Sequence, residues 1–195
     1  MGATRSPFVT HKLLRDHNGY NRELRPILEE LASYGPRILT RALLVEAEKA
    51  EAIVAQEGPE RLKYAGPLLN TIRAYCDGSP DAPRLSGKLA LTLQAERGTF
   101  TEKGGGHAEA VWQLEWACFH LAGIMHDVPY ARFAARDLVA FETMWSRDVS
   151  LEQAWKAQVA RLKAYLDALL PSAAPSGNRS RTSLLADRTL TRESV

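Results

Sequence analysis

The segment from His107 to His126 constrains the fold of this chain more than any other part of the sequence. Its apolar residues are distributed around nearly the whole circumference of a helix: Val111, Trp112, Leu114, Trp116, Cys118, Phe119, Leu121, Ile124 and Met125. A helix that is apolar all round has no face to present to water, so it is normally buried between other elements. We therefore expect this helix to be central in a bundle.

Amphipathic segments with helical spacing flank this helix and are separated by Gly and Pro residues. The clearest of them runs from Ile38 to Gln56. Its apolar face carries Leu39, Leu43, Leu44, Ala47, Ala50, Ile53 and Val54. Before it, Asn21 is expected to cap a helix that contains Pro26 in its first turns. The sequence therefore predicts an all-α fold, a helical bundle of about six to seven helices.

Two further helices are predicted after the central one. Pro129 is suited to the first position of a helix, because its missing N–H would have no partner there. The buried stripe of that helix is expected to carry Phe133, Leu138, Phe141 and Trp145. Ser150-Leu151-Glu152-Gln153 predicts a capping box at the start of the last helix, which Pro171 ends.

The stretch 88–101 is compatible with two conformations. Leu89, Leu91 and Leu93 alternate with smaller or polar residues, as in a strand of a short hairpin. Leu85, Leu89 and Leu93 are also four residues apart, as in a helix capped by Ser86. We favour the helix, because no convincing partner strand is present and an isolated hairpin is marginally stable.

The composition changes after Pro171, where Ser, Arg, Thr, Pro and Ala predominate. That segment has too little apolar sequence to offset the entropy of ordering it. We therefore expect a helical bundle domain over residues 1–171 and a disordered Ser/Arg/Thr-rich tail over residues 172–195.

The charge and hydropathy of the chain exclude some classes of protein. Lys and Arg number 25 against 23 Asp and Glu, a net charge of +2, which does not indicate a dedicated nucleic-acid binder. No apolar run approaches the roughly 20 residues that a membrane span needs. Residues 1–7 contain no apolar segment typical of a signal peptide. We expect a cytoplasmic protein that does not contact membranes.

The doublet His126-Asp127, after the apolar helix, is the sharpest chemical feature. It resembles the His-Asp doublet of the HD-type metal-dependent phosphohydrolases, which are helical enzymes. The resemblance implies a metal bound by His126 and Asp127, with a metal-activated water as nucleophile. It also implies that His107 is the upstream histidine and that Asp148 or Asp167 is the distal aspartate.

The predicted helix argues against that metal site. His107 and His126 are nineteen residues apart, which in one straight helix separates their imidazoles by roughly 28 Å. Such a distance is too great for a shared metal ion. The competing interpretation is structural, since an imidazolium interacts favourably with a helix C-terminus.

Four tryptophans lie in the C-terminal half of the chain: Trp112, Trp116, Trp145 and Trp155. Tryptophan at helical spacing is usually a core residue, but four in one region are also suited to a partner groove or an apolar pocket. On the same helix we expect His120 to be a satisfied core or groove residue. The carboxylates Glu46, Glu48 and Glu51 are interpreted as part of a solvated helix face.

The function predicted from these features is a non-catalytic, cytoplasmic module that binds another protein and needs no cofactor. It is supported by the strong helical core, by the lack of a coherent set of catalytic residues and by the tail that is predicted to be mobile. Three stretches carry a further resemblance: Leu68 to Tyr75 with the Asp-Gly break after it, the long apolar helix, and Glu152 to Trp155. Together they resemble helical immunity or antitoxin-type bacterial proteins, which implies a bacterial source and a protein partner. A small subunit of a larger assembly, an RNA- or DNA-contacting subunit of a nucleoprotein complex, and the HD-type enzyme are the alternatives.

Overall fold

The computed structural model describes residues 13–97, 107–146 and 148–169, and within these ranges it contains helices and no strand. After a helical turn at residues 13–16, the α-helices are α1 (Asn18–Ser33), α2 (Pro36–Glu57), α3 (Ala65–Cys76), α4 (Ala82–Arg97), α5 (His107–Ile124), α6 (Tyr130–Trp145) and α7 (Leu151–Leu169). A short 3-10 helix, Pro59–Leu62, joins α2 to α3. The prediction of an all-α helical bundle is confirmed. The predicted tail, 172–195, lies outside the described residues.

Helix α5 is the centre of the bundle, as the sequence predicted. It packs against α2, α3, α4 and α6, and its longest contact is with α6. Its buried residues come from most of its circumference: Ala110, Val111, Gln113, Leu114, Glu115, Ala117, Cys118, Leu121, Ala122 and Ile124. None of the helices in the described ranges is long and apolar enough to cross a lipid bilayer.

The start of α1 differs from the prediction. The N-cap residue is His17, and its Nδ1 accepts a hydrogen bond of 3.1 Å from the backbone N–H of Tyr20. Asn21 therefore lies in the first turn and does not cap the helix. Pro26 is an interior residue of α1 and is exposed, so its ring faces solvent and not the core.

Residues 82–97 form a single helix, which confirms the preference for helix and shows that the hairpin interpretation is wrong for 88–97. Residues 98–101 lie outside the described residues. The helix begins four residues before Ser86, whose hydroxyl donates to the carbonyl of Pro83 at 2.9 Å, so Ser86 is not its cap. Leu91 is 67% exposed, so the alternating leucines of this segment do not form one buried face.

The capping box of α7 forms as predicted. The backbone N–H of Gln153 donates to Ser150 Oγ at 3.2 Å, and the backbone N–H of Ser150 donates to Gln153 Oε1 at 2.9 Å. The two reciprocal bonds satisfy N–H groups that a helix start otherwise leaves without partners.

The interpretation of the α2 carboxylates as a solvated face is wrong for Glu46, and Glu48 and Glu51 are only partly exposed. Glu46 is only 8% exposed, and its Oε2 accepts a hydrogen bond of 2.7 Å from Arg161 of α7. Arg73 of α3 donates to both Glu48 and Glu51. These ion pairs join α2 to two other helices, because a partly buried carboxylate is stabilised by a cation held within hydrogen-bond distance.

Candidate functional site

One side of α5 and α6 carries a cluster of partly exposed rings. Its members are Trp112, Trp116, Phe119 and His120 of α5 and Tyr130 and Phe133 of α6, and we call it the aromatic surface. Tyr130 is 36% exposed and Phe133 is 40% exposed. Isolated exposed apolar residues are normal on a protein, whereas a contiguous apolar group marks a site of interaction more often.

The rings of the aromatic surface contact one another in a continuous series. The centroids of Trp112 and Trp116 are 5.8 Å apart with an interplanar angle of 78°. Those of Trp116 and Phe119 are 5.2 Å apart at 71°. These edge-to-face arrangements are the ones that aromatic pairs prefer, because the positive ring edge faces the negative ring face. The cluster is therefore a packed unit and not a set of independent side chains.

His120 lies at the centre of the aromatic surface. Its ring centroid is 5.3 to 5.9 Å from those of Phe133, Phe119, Trp116 and Tyr130. Its Nδ1 lies 2.5 Å from Oδ2 of Asp137, a residue of α6 that is 1% exposed. A carboxylate bonded to one ring nitrogen fixes the orientation of the imidazole. The buried Asp137 thus holds the central ring of the surface in place.

Gly123 allows the Tyr130 ring to lie directly against α5. A Cβ atom at position 123 would be 2.7 Å from Cγ of Tyr130, closer than real Cβ contacts. The chain reverses between the two residues, because the backbone N–H groups of His126 and Asp127 both donate to the carbonyl of Gly123 at 2.9 Å. A small residue at the end of α5 and a tight turn after it therefore set the position of Tyr130.

The doublet His126-Asp127 lies in this turn, and both residues are exposed. Their main-chain groups form hydrogen bonds within the turn, including that of the Asp127 carbonyl, which accepts from the N–H of Tyr130 at 3.2 Å. The described residues contain no group of three or more His, Cys, Asp or Glu side chains that could hold a metal ion. Metal binding by this doublet stays a prediction.

His107 lies at the opposite end of α5 from the doublet. Its ring stacks on Trp145, with centroids 4.3 Å apart, and its Nδ1 is 2.7 Å from Oε1 of Glu57. The other two residues that the HD resemblance implied, Asp148 and Asp167, are exposed. The structure therefore does not bring His107 to the doublet, in agreement with the helix-length argument.

The four tryptophans are divided between three places. Trp112 and Trp116 belong to the aromatic surface, and Trp145 stacks on His107. Trp155 is 3% exposed and packs against the rings of His17 and Tyr20 at 5.3 and 5.8 Å. Two tryptophans are thus available to a binding surface, and Trp155 is a core residue.

Sequence reasoning missed two features of this site. Phe133 was expected on the buried stripe of α6, but it is 40% exposed because α5 covers the neighbouring face of the helix. Asp137 was not considered, although Tyr130, Phe133 and Asp137 have the i, i+3, i+7 spacing that places residues on one helix face. That spacing, with an acidic residue in an apolar stripe, was the available signal.

This arrangement of rings is chemically suited to contact with apolar groups. Rigid aromatic rings provide large contact areas and lose little conformational entropy when a partner binds. The His120–Asp137 hydrogen bond orients the His120 ring, and the close approach to Gly123 sets the position of the Tyr130 ring. No family model, curated protein or solved structure matches this chain.

Proposed function

We propose that this protein is a non-catalytic helical module that binds another protein through the aromatic surface. The observation that carries the proposal is the packed cluster of rings around His120, in which Tyr130 is 36% and Phe133 is 40% exposed. Aromatic residues dominate the binding energy of protein interfaces when they are held in well-packed positions. The partner is expected to offer apolar side chains that cover these two rings.

The order of the aromatic surface supports binding with a low entropic cost. Fixing a flexible side chain at an interface costs about 0.5–1.5 kcal/mol. Here Asp137 orients His120, and His120 contacts the two exposed rings, Tyr130 and Phe133. A partner therefore meets rings whose positions are largely set before it binds.

The proposal also includes the kind of protein-binding module that this chain is. Its likeness in sequence to helical immunity or antitoxin-type bacterial proteins supports a cytoplasmic protein that binds one dedicated partner. A small subunit of a larger assembly would use the aromatic surface in the same way, since both roles require one defined contact face.

Site-specific photo-crosslinking in the native host tests the proposal. Phe133 is replaced by p-benzoyl-phenylalanine, and Leu91, the 67% exposed residue of α4, is replaced in the same way as a matched control. We expect one discrete protein adduct from position 133 and no such adduct from position 91. The same adducts from both positions, or none from position 133, would contradict the proposal.

The alternative functions predict other outcomes of this experiment. A subunit of a nucleoprotein complex would give a nuclease-sensitive adduct at position 133. An HD-type phosphohydrolase would copurify with a stoichiometric metal ion that is lost in His126→Ala. Either result would replace the protein-binding proposal.

A further inference from the structure

The start of α1 depends on a histidine side chain that accepts a hydrogen bond only through an unprotonated nitrogen. Nδ1 of His17 accepts the bond of 3.1 Å from the backbone N–H of Tyr20. A backbone N–H group only donates, and a protonated imidazole carries a donor at both ring nitrogens. The cap of α1 and a proton therefore compete for the same nitrogen atom.

The position of His17 makes its protonated form unfavourable for a second reason. The N–H groups of the first helical turn point toward the N-terminus of the helix and give it a partial positive charge. The usual residues at this position, Ser, Thr, Asp and Asn, are neutral or negative. An imidazolium at position 17 would place a full positive charge against the start of α1. Protonation therefore removes a hydrogen bond and adds a repulsion.

Gly19 leaves room for the imidazole ring over the first turn of α1. A Cβ atom at position 19 would lie 3.1 Å from Cε1 and 3.3 Å from Nδ1 of His17, closer than ordinary van der Waals contacts. The same ring packs against Trp155 of α7, with ring centroids 5.3 Å apart. These two contacts hold Nδ1 of His17 in the capping position.

The cap is connected to the helical turn at residues 13–16. The backbone N–H of His17 donates to the carbonyl of Leu14 at 3.3 Å and closes that turn. The side-chain amide of Asn21, in the first turn of α1, donates to the carbonyls of Leu14 and Arg15 at 3.3 and 2.7 Å. The Leu14 side chain is fully buried in the core. The first turn of α1 thus holds the preceding turn and its buried leucine in place.

Among the titratable side chains at this junction, His17 is the one suited to respond to pH. The others, on the preceding turn, α1, α6 and α7, are Arg15, Asp16, Tyr20, Arg136, Glu152 and Lys156. The pKa of Glu152 is lowered mainly by its hydrogen bond from Lys156 and less by His17, so this carboxylate already has a partner. Burial raises the pKa of the Tyr20 hydroxyl. Histidine is the side chain that ordinarily changes its charge between pH 5 and 8.

We propose that His17 is a proton-sensitive cap, whose neutral form holds the start of α1 and the turn 13–16 in place and whose protonated form releases both. The released form binds one proton more than the capped form. The capped form therefore gains stability as the pH rises and loses it as the pH falls through the histidine range. This behaviour is separate from the aromatic surface and does not depend on the function proposed for it.

NMR spectroscopy of the full chain between about pH 8 and about pH 5 tests the cap. At the upper pH, long-range proton–nitrogen spectra are expected to show an unprotonated Nδ1 and a protonated Nε2 in His17. Hydrogen exchange is measured at the amides of Tyr20 and His17 and corrected for the intrinsic effect of pH on exchange. Both amides are expected to lose protection at least about fivefold at the lower pH, as the loss of a helix cap predicts.

Two variants separate the cap from other effects of pH. His17→Asn keeps a capping side chain, but its amide oxygen accepts without titrating, so protection of the Tyr20 amide is expected to change less than about twofold. His126→Asn removes an exposed histidine from the turn after α5 and is the matched control. It is expected to keep the pH dependence of the wild type at both amides.

Three results would each overturn the proposal. They are a neutral His17 that is protonated on Nδ1, protection that persists at either amide down to about pH 5, and equal pH dependence in the wild type and His17→Asn. Circular dichroism establishes that each variant is folded. If His17→Asn does not fold, the tautomer and the amide exchange of the wild type decide the test alone.

Discussion

At the scale of single residues, the contact between His120 and Asp137 has the clearest energetic consequence. The Asp137 carboxylate is 1% exposed, and the imidazole nitrogen 2.5 Å away is one of its hydrogen-bond partners. Removing a partner of a buried charged group costs about 2–3 kcal/mol. His120→Ala is therefore expected to lower the free energy of unfolding by that amount in urea denaturation.

His126, in the turn that follows α5, is the control for this measurement. His126 is exposed, so His126→Ala is expected to change the free energy of unfolding by less than about 0.5 kcal/mol. If both variants lose the same free energy of unfolding, the His120–Asp137 hydrogen bond does not contribute to stability as argued.

Cys76 gives a pH-dependent prediction. Burial raises the pKa of the Cys76 thiol to about 11, so the folded state favours the neutral thiol. Its contribution to stability is fully present below the pKa of the unfolded thiol, about 8.5, and is lost as the pH rises through 11. We expect the stability of the wild type to fall more steeply than that of Cys76→Ala between pH 9 and pH 11. Parallel pH profiles from urea denaturation would contradict it.

At the scale of helices, the contact of Gly123 with Tyr130 couples the end of α5 to the start of α6. Gly123→Ala places a Cβ atom 2.7 Å from Cγ of Tyr130, and such overpacking costs about 1–3 kcal/mol. In a Tyr130→Ala background the clash is absent, and alanine is the better helix former by about 1 kcal/mol. We expect Gly123→Ala to lower the stability of the wild type and to leave unchanged or raise the stability of the Tyr130→Ala variant.

A double-mutant cycle measures this coupling directly. The free energies of unfolding of the wild type, the two single variants and the double variant give the interaction energy. An interaction energy near zero would mean that the packing of the Tyr130 ring does not require a glycine at position 123.

The central position of α5 predicts a contrast between two leucines. Leu121 is fully buried in α5, so Leu121→Ala is expected to cost about 2–5 kcal/mol in free energy of unfolding. Leu91 is 67% exposed on α4, and the same substitution there is expected to cost less than about 0.5 kcal/mol. A cost below about 1 kcal/mol at Leu121 would contradict the central placement of α5.

At the scale of the whole molecule, features set by local sequence were predictable. The helices α2 and α5 and the capping box of α7 follow from periodicity and from interactions between residues that are close along the chain. The all-α class follows from the same patterns, because each helix needs a neighbour to cover its apolar face.

The features that were not predictable depend on residues far apart in sequence. The sequence pattern predicts that Glu46 is a surface residue of α2. Its partner Arg161 lies 115 residues later and is brought beside it only by the packing of α7. Asp137 likewise becomes part of a site only when α6 folds back onto α5 and meets His120. Periodicity indicates which face of a helix is apolar, but it does not indicate which helix covers that face.

The central claim is that the aromatic surface binds a partner through exposed rings such as Phe133, which is 40% exposed and is not needed to maintain the core. It is tested most directly by measuring the affinity of the partner captured at position 133 for the wild type, Phe133→Ser and Leu91→Ser. We expect the dissociation constant to rise at least tenfold, about 1.4 kcal/mol, in Phe133→Ser alone, with the free energy of unfolding within about 1 kcal/mol of the wild type. Wild-type affinity in a folded Phe133→Ser would contradict the claim.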